Sequence, residues 1–396
     1  MRTPAVVVVG SGAGGLMAAI HASEQVPTLL VSDGALGRSN TAMAQGGLQV
    51  PFDNPESHQS LINDMVASAR IPIDLDRVER FVAEILPTVH RLEEWGLEVD
   101  RDSDGDWVRR LAGGLSEPRI VSASDQIGPA VMSVLKRVVQ ANGVEVLAHH
   151  RVVDVAPGSA GPVLAVEDRD SQRSEIEAGA VVVATGGPTF RTAEQSGERS
   201  TNQPNQNHRL FDLLGEKGLE LVDGEAYQYQ PFGLVAVEGP FGRCVPESVV
   251  NFPVELLDRH GDSIGPIRQD RFALTKRIFE VIAAGGGVVT DRGPGVWLTL
   301  SAVDPDELAT MFPKLRHTVE RQGWVGKDVL VRPFLHYYLG GFAVGPDGET
   351  TVPGLWLAGE MVGGLHGRNR LMGNGITDSL VHGRLAGRAA AAATAG

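Results

Sequence analysis

The 396-residue chain has a single cysteine, Cys244, which excludes an internal disulfide. With no thiol pair, and no basic leader ahead of its first apolar stretch, the chain is expected in the cytoplasm. No apolar run reaches the roughly 18 residues of a membrane span, and the early apolar stretch is interrupted from Gly10 to Gly15. Basic residues are outnumbered, 35 against 49 acidic, giving a formal net charge of −14. That balance disfavours nucleic acid and anionic membrane surfaces as partners. Repeats are missing, and the Ala-rich tail is the one biased tract. No metal centre is expected. What remains is 42% hydrophobic, enough for a large core divided between two domains.

AVVVVGSGAGGLMAAIHAS gives an apolar strand, Ala5 to Val9, then Gly10, Gly12 and Gly15 in GxGxxG spacing, then helix formers. Gly10 makes the tight turn, Gly12 lets the backbone reach a pyrophosphate, and Gly15 allows close helix packing. The helix N-terminus then faces the anion. PTLLVSDG follows as a second strand, with Ser32 and Asp33 about 20 residues on, where a ribose contact is needed. A bound dinucleotide is expected. The polar loop RSNTAMAQGGLQV suits a flavin domain better than an NAD domain.

Near the other end stand HYYLGG, GLWLAGE and GLHGRNRLMGNG. Arg370 can offer a planar fork to a carboxylate, and His336 adds a ring donor that neighbours can orient. Gly340, Gly341, Gly359, Gly373 and Gly375 let backbone amides approach a ligand closely. The combination reads as a carboxylate clamp against a flat cofactor, a local positive site on an acidic protein. Between the ends, helices are expected over about 55–95 and 128–142, in HRLFDLLGEKG and in RFALTKRIFEVIAA. VEVLAHHRVVDVAP and AGPVLAVEDRD read as paired strands, and AVVVATGG returns the chain to the cofactor sheet. Residues from about Gln230 to Arg332 show little sheet signal.

In GSGAGG (10–15), SNTAMAQGG (39–47), VVVATGG (181–187), HYYLGG (336–341), LAGE (357–360) and GRNRLMGNG (367–375) the chain resembles the flavoprotein family of succinate dehydrogenase, fumarate reductase and L-aspartate oxidase, most of all its L-aspartate oxidase branch. The resemblance implies an α/β architecture: a Rossmann-like FAD-binding domain, 1–229 and 336–396, with an inserted α+β capping domain, 230–335. It implies FAD as cofactor, with Ser11, Ser39, Asn40, Thr41, Ala44, Gln45, Gly46, Gly47, Val152, Thr185, Gly186, Glu360, Asn374 and Ile376 joining the residues above as contacts. Covalent members carry a His where this chain has Asn40, so noncovalent FAD is expected. Aspartate oxidases usually continue into a helical C-terminal domain, and this chain stops soon after the flavin-binding segment.

For the chemistry, the resemblance assigns His336 and Arg370 to one substrate carboxylate and a proton-carrying Arg to the cap, at Arg271, with Arg268 as runner-up. The family's relay runs through a Glu, here Glu247, and a second Arg, where this chain has Val250. At the other carboxylate the family has His, Pro and Thr, and this chain has Gln230, Pro231 and Phe232; Pro246 replaces the Thr before the relay Glu. Gln cannot become cationic and Phe adds apolar volume. The expected substrate is therefore a small carboxylic or amino acid with a neutral or apolar far end. Asn207-His208-Arg209 replaces a glycine-rich turn near the cofactor. The leading expectation is a dehydrogenase or oxidase. An enoate reductase, an L-aspartate oxidase and a noncatalytic electron-transfer module are the alternatives. The electron acceptor is left open among oxygen, a quinone and a fumarate-like acid.

Overall fold

The computed structural model describes residues 4–204, 208–239 and 241–395. At its centre five parallel strands lie in the order Leu355–Leu357, Ala180–Val183, Val6–Val9, Thr28–Ser32, Glu145–Ala148. VVVV and AVVV are unbroken apolar runs because helices or a second sheet cover both faces, so neither face needs polar residues. Val6 and Val8 point to the helical side, and Val7 and Val9 to the other. There an antiparallel meander, Arg151–Pro157, Pro162–Glu167 and Arg173–Glu177, packs Val152, Val155, Leu164 and Val166 against the sheet.

On the helical side Ala13–Ser23 crosses the 21-residue helix Asn374–Thr394, whose Ala-rich sequence serves close packing. A Cβ on Gly383 would come within 2.3 Å of the Gly14 carbonyl, and one on Gly387 within 2.3 Å of the Ala18 carbonyl. The two backbones touch, which fixes both helix N-termini near the same edge of the sheet.

A second antiparallel sheet runs Tyr227–Leu234, Val329–Tyr338, Gly293–Leu298, Leu256–Leu257, with Val288–Thr290 paired to the third of these. Helices Arg271–Ala283, Pro305–Met311 and Pro313–Gln322 accompany it around a separate apolar core. This overturns the expectation of little sheet between Gln230 and Arg332. The pattern is hidden because Pro231 and Gly233 sit at irregularities in the strand, where the register shifts. The helical stretch expected over 55–95 is present as two helices, Pro55–Ala69 and Leu75–Glu94, divided at Arg70 (φ 60°) and restarted by Asp74, whose carboxylate accepts from Arg77 N at 3.3 Å. VEVLAHHRVVDVAP also divides, since Glu145–Ala148 joins the parallel sheet and only Arg151–Pro157 pairs with Pro162–Glu167. No helix among the described residues is long and apolar enough to cross a membrane.

Candidate active site

The turn after Val6–Val9 shows why its glycines are there. Gly10 holds φ 109°, and a Cβ on Gly15 would lie 1.8 Å from the Gly10 carbonyl, so helix and strand meet without side chains between them. A Cβ on Gly12 would meet nothing nearer than Ser39 at 3.6 Å, so its backbone is open to the cleft. That cleft, of about 120 Å³, runs from the glycine turn past Ser32 and Asp33 to Gly359. Ser11 and Ser32 share a hydroxyl hydrogen bond of 2.7 Å, and Asp33 is paired with Arg151 at 3.2 Å.

The cleft meets a wider cavity of about 700 Å³, the two sharing Asn40, Thr41, Glu360 and Ser379 in their walls. An elongated molecule with a polar diphosphate and a broad ring system fits such a shape. The helices beginning at Ala13 and Asn374 lack side-chain caps, leaving N–H groups for an anionic or carbonyl-bearing ligand. Of the cofactor residues expected from the sequence, all line one hollow or the other except Gly15, which packs behind the turn, Asn374, which is fully buried, and Gly340 and Gly341, whose close approaches are to the backbone of Asp223 and of Gly363 instead of to the cavity. Both Asn374 amide atoms lack a hydrogen-bond partner among the described residues. The donors, the open glycine and the shape together suit FAD. Asn40 donates to Asn202 and accepts from Gln203 N at 2.9 Å, so its amide is engaged in holding the loop.

Glu360 is enclosed where the hollows join. It accepts from Tyr338 N at 2.8 Å and Thr189 Oγ1 at 3.2 Å, and burial pushes its carboxyl up to about 7.

The wider cavity also gathers His336, Arg370, Arg271 and Glu247. His336 stands near the end of strand Val329–Tyr338. Thr201 Oγ1 lies 2.6 Å from its Nδ1, and Asn202 donates to its carbonyl at 2.6 Å. Burial, with the charges of Arg271 and Arg370 adding, holds the imidazole well below its usual range, so it is neutral at pH 7. Arg370 lies 4.2 Å above the Tyr337 ring and its Nε has no partner among the described residues. Burial lowers its guanidinium to about 10, with Arg271 adding, and it stays charged at neutral pH.

Behind the clamp is a buried network. Tyr337 Oη donates to Asp378 at 3.5 Å, His366 Nε2 lies 3.2 Å from the same carboxylate, and His382 Nδ1 contacts its other oxygen.

Arg271 opens its helix after the cap residue Asp270, which accepts from Ala273 N at 3.0 Å. Its Nε donates to Glu247 and a terminal nitrogen donates to Gln228 at 3.1 Å. Gln228 in turn donates to Asn369 Oδ1 at 3.0 Å and to the Arg370 carbonyl at 2.9 Å, tying both arginines together. Arg268 does not reach the cavity and donates instead to the Val250 carbonyl at 2.9 Å. Val250 is part of the second core.

Phe232 is the main correction among the site residues. It is 0% exposed within the apolar core of the second sheet and does not line the cavity. The register shift after Gln230 turns it inward while Gln230 stays in the wall. Asn207 lies outside the described residues, and Arg209 follows on helix His208–Glu216. The sequence reading missed Thr201 and Asn202, which orient His336, and Cys244 and Lys314, which line the cavity. No local pattern marks any of them. Burial pushes the Cys244 thiol up to about 11, which makes it a poor nucleophile at neutral pH.

A family model described as FAD binding domain matches residues 5–376. Fold and cavity thus define an FAD-dependent oxidoreductase. A fumarate reductase (CoM/CoB) subunit of Methanothermobacter marburgensis is 30% identical over 98% of this chain and 72% of its own length. L-aspartate oxidase of Xylella fastidiosa is 29% identical over 96% of this chain and 74% of its own. A mutant of E. coli quinol fumarate reductase FrdA superposes with a TM-score of 0.91 at 26% identity, over 100% of this chain and 71% of that one. The chain belongs to the flavoprotein family of succinate dehydrogenase, fumarate reductase and L-aspartate oxidase. Its relatives are divided between fumarate reductases and L-aspartate oxidases at nearly equal identity.

Proposed function

We propose that this protein removes a hydride from the carbon next to the carboxylate of a small acid or amino acid, using FAD held without a covalent bond. The observation that carries this is the convergence of Arg271, His336 and Arg370 on one cavity, beside the backbone of Gly373 and Gly375. In this reading residues 1–229 and 336–396 hold the flavin and 230–335 cap it. Bound FAD supplies a two-electron acceptor for the hydride. Arg370 presents its fork to the carboxylate, and the neutral His336 ring, held at Nδ1 by Thr201, donates from Nε2. Glu247 takes a proton from Arg271, and Arg271 then takes one from the neighbouring substrate carbon. Oxygen, a quinone or a fumarate-like acid receives the electrons afterwards. A single thiol suits a cytoplasmic setting.

The reverse direction, reduction of an enoate, is favoured by one feature. Arg271 is a charged guanidinium paired only to Glu247 and Gln228 among the described residues, and such a group gives a proton more readily than it takes one. Anaerobic mixing with a panel of small carboxylates separates the two. Bleaching of the flavin by a saturated acid means oxidation, and reoxidation of the reduced protein by an enoate means reduction. A flavin indifferent to every acid in both directions would overturn the proposal. Acid precipitation tests the cofactor linkage: yellow colour is expected in the supernatant, and colour kept in the pellet would show a covalent bond.

A further inference from the structure

The buried network behind the clamp has no part in the chemistry described above, yet it touches the side chain on which Arg370 rests. Arg370 is held by few bonds for a residue that must aim a planar fork. Its guanidinium donates to the Leu371 carbonyl at 3.3 Å, and among the described residues no carboxylate forms an ion pair with it; Glu360 and Glu247 act on it only at a distance. What seats it is the Tyr337 ring, whose centroid is 4.2 Å away, and the bare backbone of Gly375, where a Cβ would lie 3.1 Å from Arg370 Cζ and 3.4 Å from the ring. The fork therefore points where the Tyr337 ring lets it point.

Tyr337 is in turn gripped from helix Asn374–Thr394. Its hydroxyl donates to Asp378 Oδ2 at 3.5 Å, and its ring meets the His366 ring edge-on, with centroids 6.0 Å apart. His366 Nε2 reaches the same oxygen at 3.2 Å, while His382, four residues on along the same helix face, contacts Oδ1 and stacks on Phe81 of helix Leu75–Glu94. All three polar side chains are buried. Burial alone would raise the Asp378 carboxyl, but the two imidazoles outweigh it and hold the group far below its usual range, so it is ionised. A phenol that donates to an anion gains electron density on its ring, and a cation over the face of that ring is then held more strongly. We infer that Asp378 is a positioning residue for the substrate carboxylate, acting through Tyr337 to set the angle and the hold of the Arg370 fork. The inference rests on the place given to Arg370 in the proposed function and says what aims it.

The test compares the FAD-bound native protein with Asp378→Asn, Tyr337→Phe, the two together, and Arg370→Lys with and without Asp378→Asn. Two things are read: KM and kcat for the best acid of the panel above, and the dissociation constant of benzoate, whose carboxylate-bearing carbon has no hydrogen to lose, from the flavin difference spectrum. Asp378→Asn should raise KM and the benzoate constant about three- to thirtyfold while kcat falls less than about threefold. Tyr337→Phe, which leaves the carboxylate and both imidazoles in place, should do the same, and the double variant should bind no more weakly than the weaker of the two. In Arg370→Lys, whose ammonium has no plane to be aimed, adding Asp378→Asn should change either constant less than about twofold. A full-sized further loss in the lysine background, or a fall in kcat alone, would show Asp378 to be merely structural and overturn the inference. So would native constants in Tyr337→Phe, a result that decides equally well if Asp378→Asn does not fold. If the native protein turns over no acid yet benzoate follows this pattern, the carboxylate seat stands and the oxidoreductase reading falls; a flavin that responds to neither ends both.

Discussion

At Arg271 the role of a single side chain can be separated from its neighbours. Arg271→Ala should lower kcat by about 10²- to 10⁴-fold with KM and the flavin spectrum little changed, because the proton moves chiefly in the transition state. Arg370→Ala should raise KM as well, since its fork serves ground and transition states alike. Arg268→Ala should leave the rate near normal, as its guanidinium holds the Val250 carbonyl outside the cavity; a large rate loss there would shift the proton role to Arg268. Glu360 provides a pH prediction. With its carboxyl near 7 in the folded, flavin-free protein against an ordinary value of 4.5, the folded state binds the extra proton. Stability from this group is present below about pH 4.5 and lost as pH rises to 7, about 3 kcal/mol in all. Glu360→Gln should flatten the slope of the urea midpoint between those pH values. An unchanged slope would show that Glu360 is not the titrating group. His336 and Arg370 were legible in the sequence because they stand inside motifs, whereas Arg271 was reached only through the family resemblance. Phe232 was misread because a one-residue register shift, invisible in sequence, decides which way its ring points.

Among the elements, the parallel sheet and its first helix were plain from unbroken valine runs and glycine spacing. The last helix and the capping sheet were not. Asn374–Thr394 passes for a biased tail, yet its small residues let it lie directly on the fingerprint helix. Gly383→Ala should force these helices apart, since its methyl would sit 2.3 Å from the Gly14 carbonyl. A loss of about 2–4 kcal/mol and weakened flavin retention are expected, measurable by urea titration and by ultrafiltration of bound FAD. Retention of both would mean that the helix slides to accommodate the methyl. The capping strands were obscured by their own bulges, where Pro and Gly look like breakers.

For the molecule as a whole, the contacts between cap and body come from residues far apart in the chain. Arg70 pairs with Asp270 at 2.7 Å, a Cβ on Gly113 would lie 2.1 Å from the Gln269 carbonyl, and Asp125 caps the helix that bears Lys314. None of these was readable beforehand, because each joins loops whose sequences carry no sign of a distant partner. Asp125→Ala should cost about 1–2 kcal/mol, as the loss of a helix cap does, seen as a lower urea midpoint. No change would show that water takes over the two amides.

The paired strands Tyr227–Leu234 and Val329–Tyr338 also say how the two halves of the molecule could be taken apart. The chain leaves for the cap along one and returns along its hydrogen-bonded neighbour, Leu234 lying opposite Val331. Exit and re-entry are therefore one strand spacing apart, about 5 Å, a gap that a two-residue Asn-Gly turn closes without strain. The cap is in this sense a cassette. Excising 235–330 and closing the ribbon with such a turn would leave the flavin cleft, His336 and Arg370 on a continuous chain, and exchanging the segment with that of a relative would transplant Arg271 and Lys314 together.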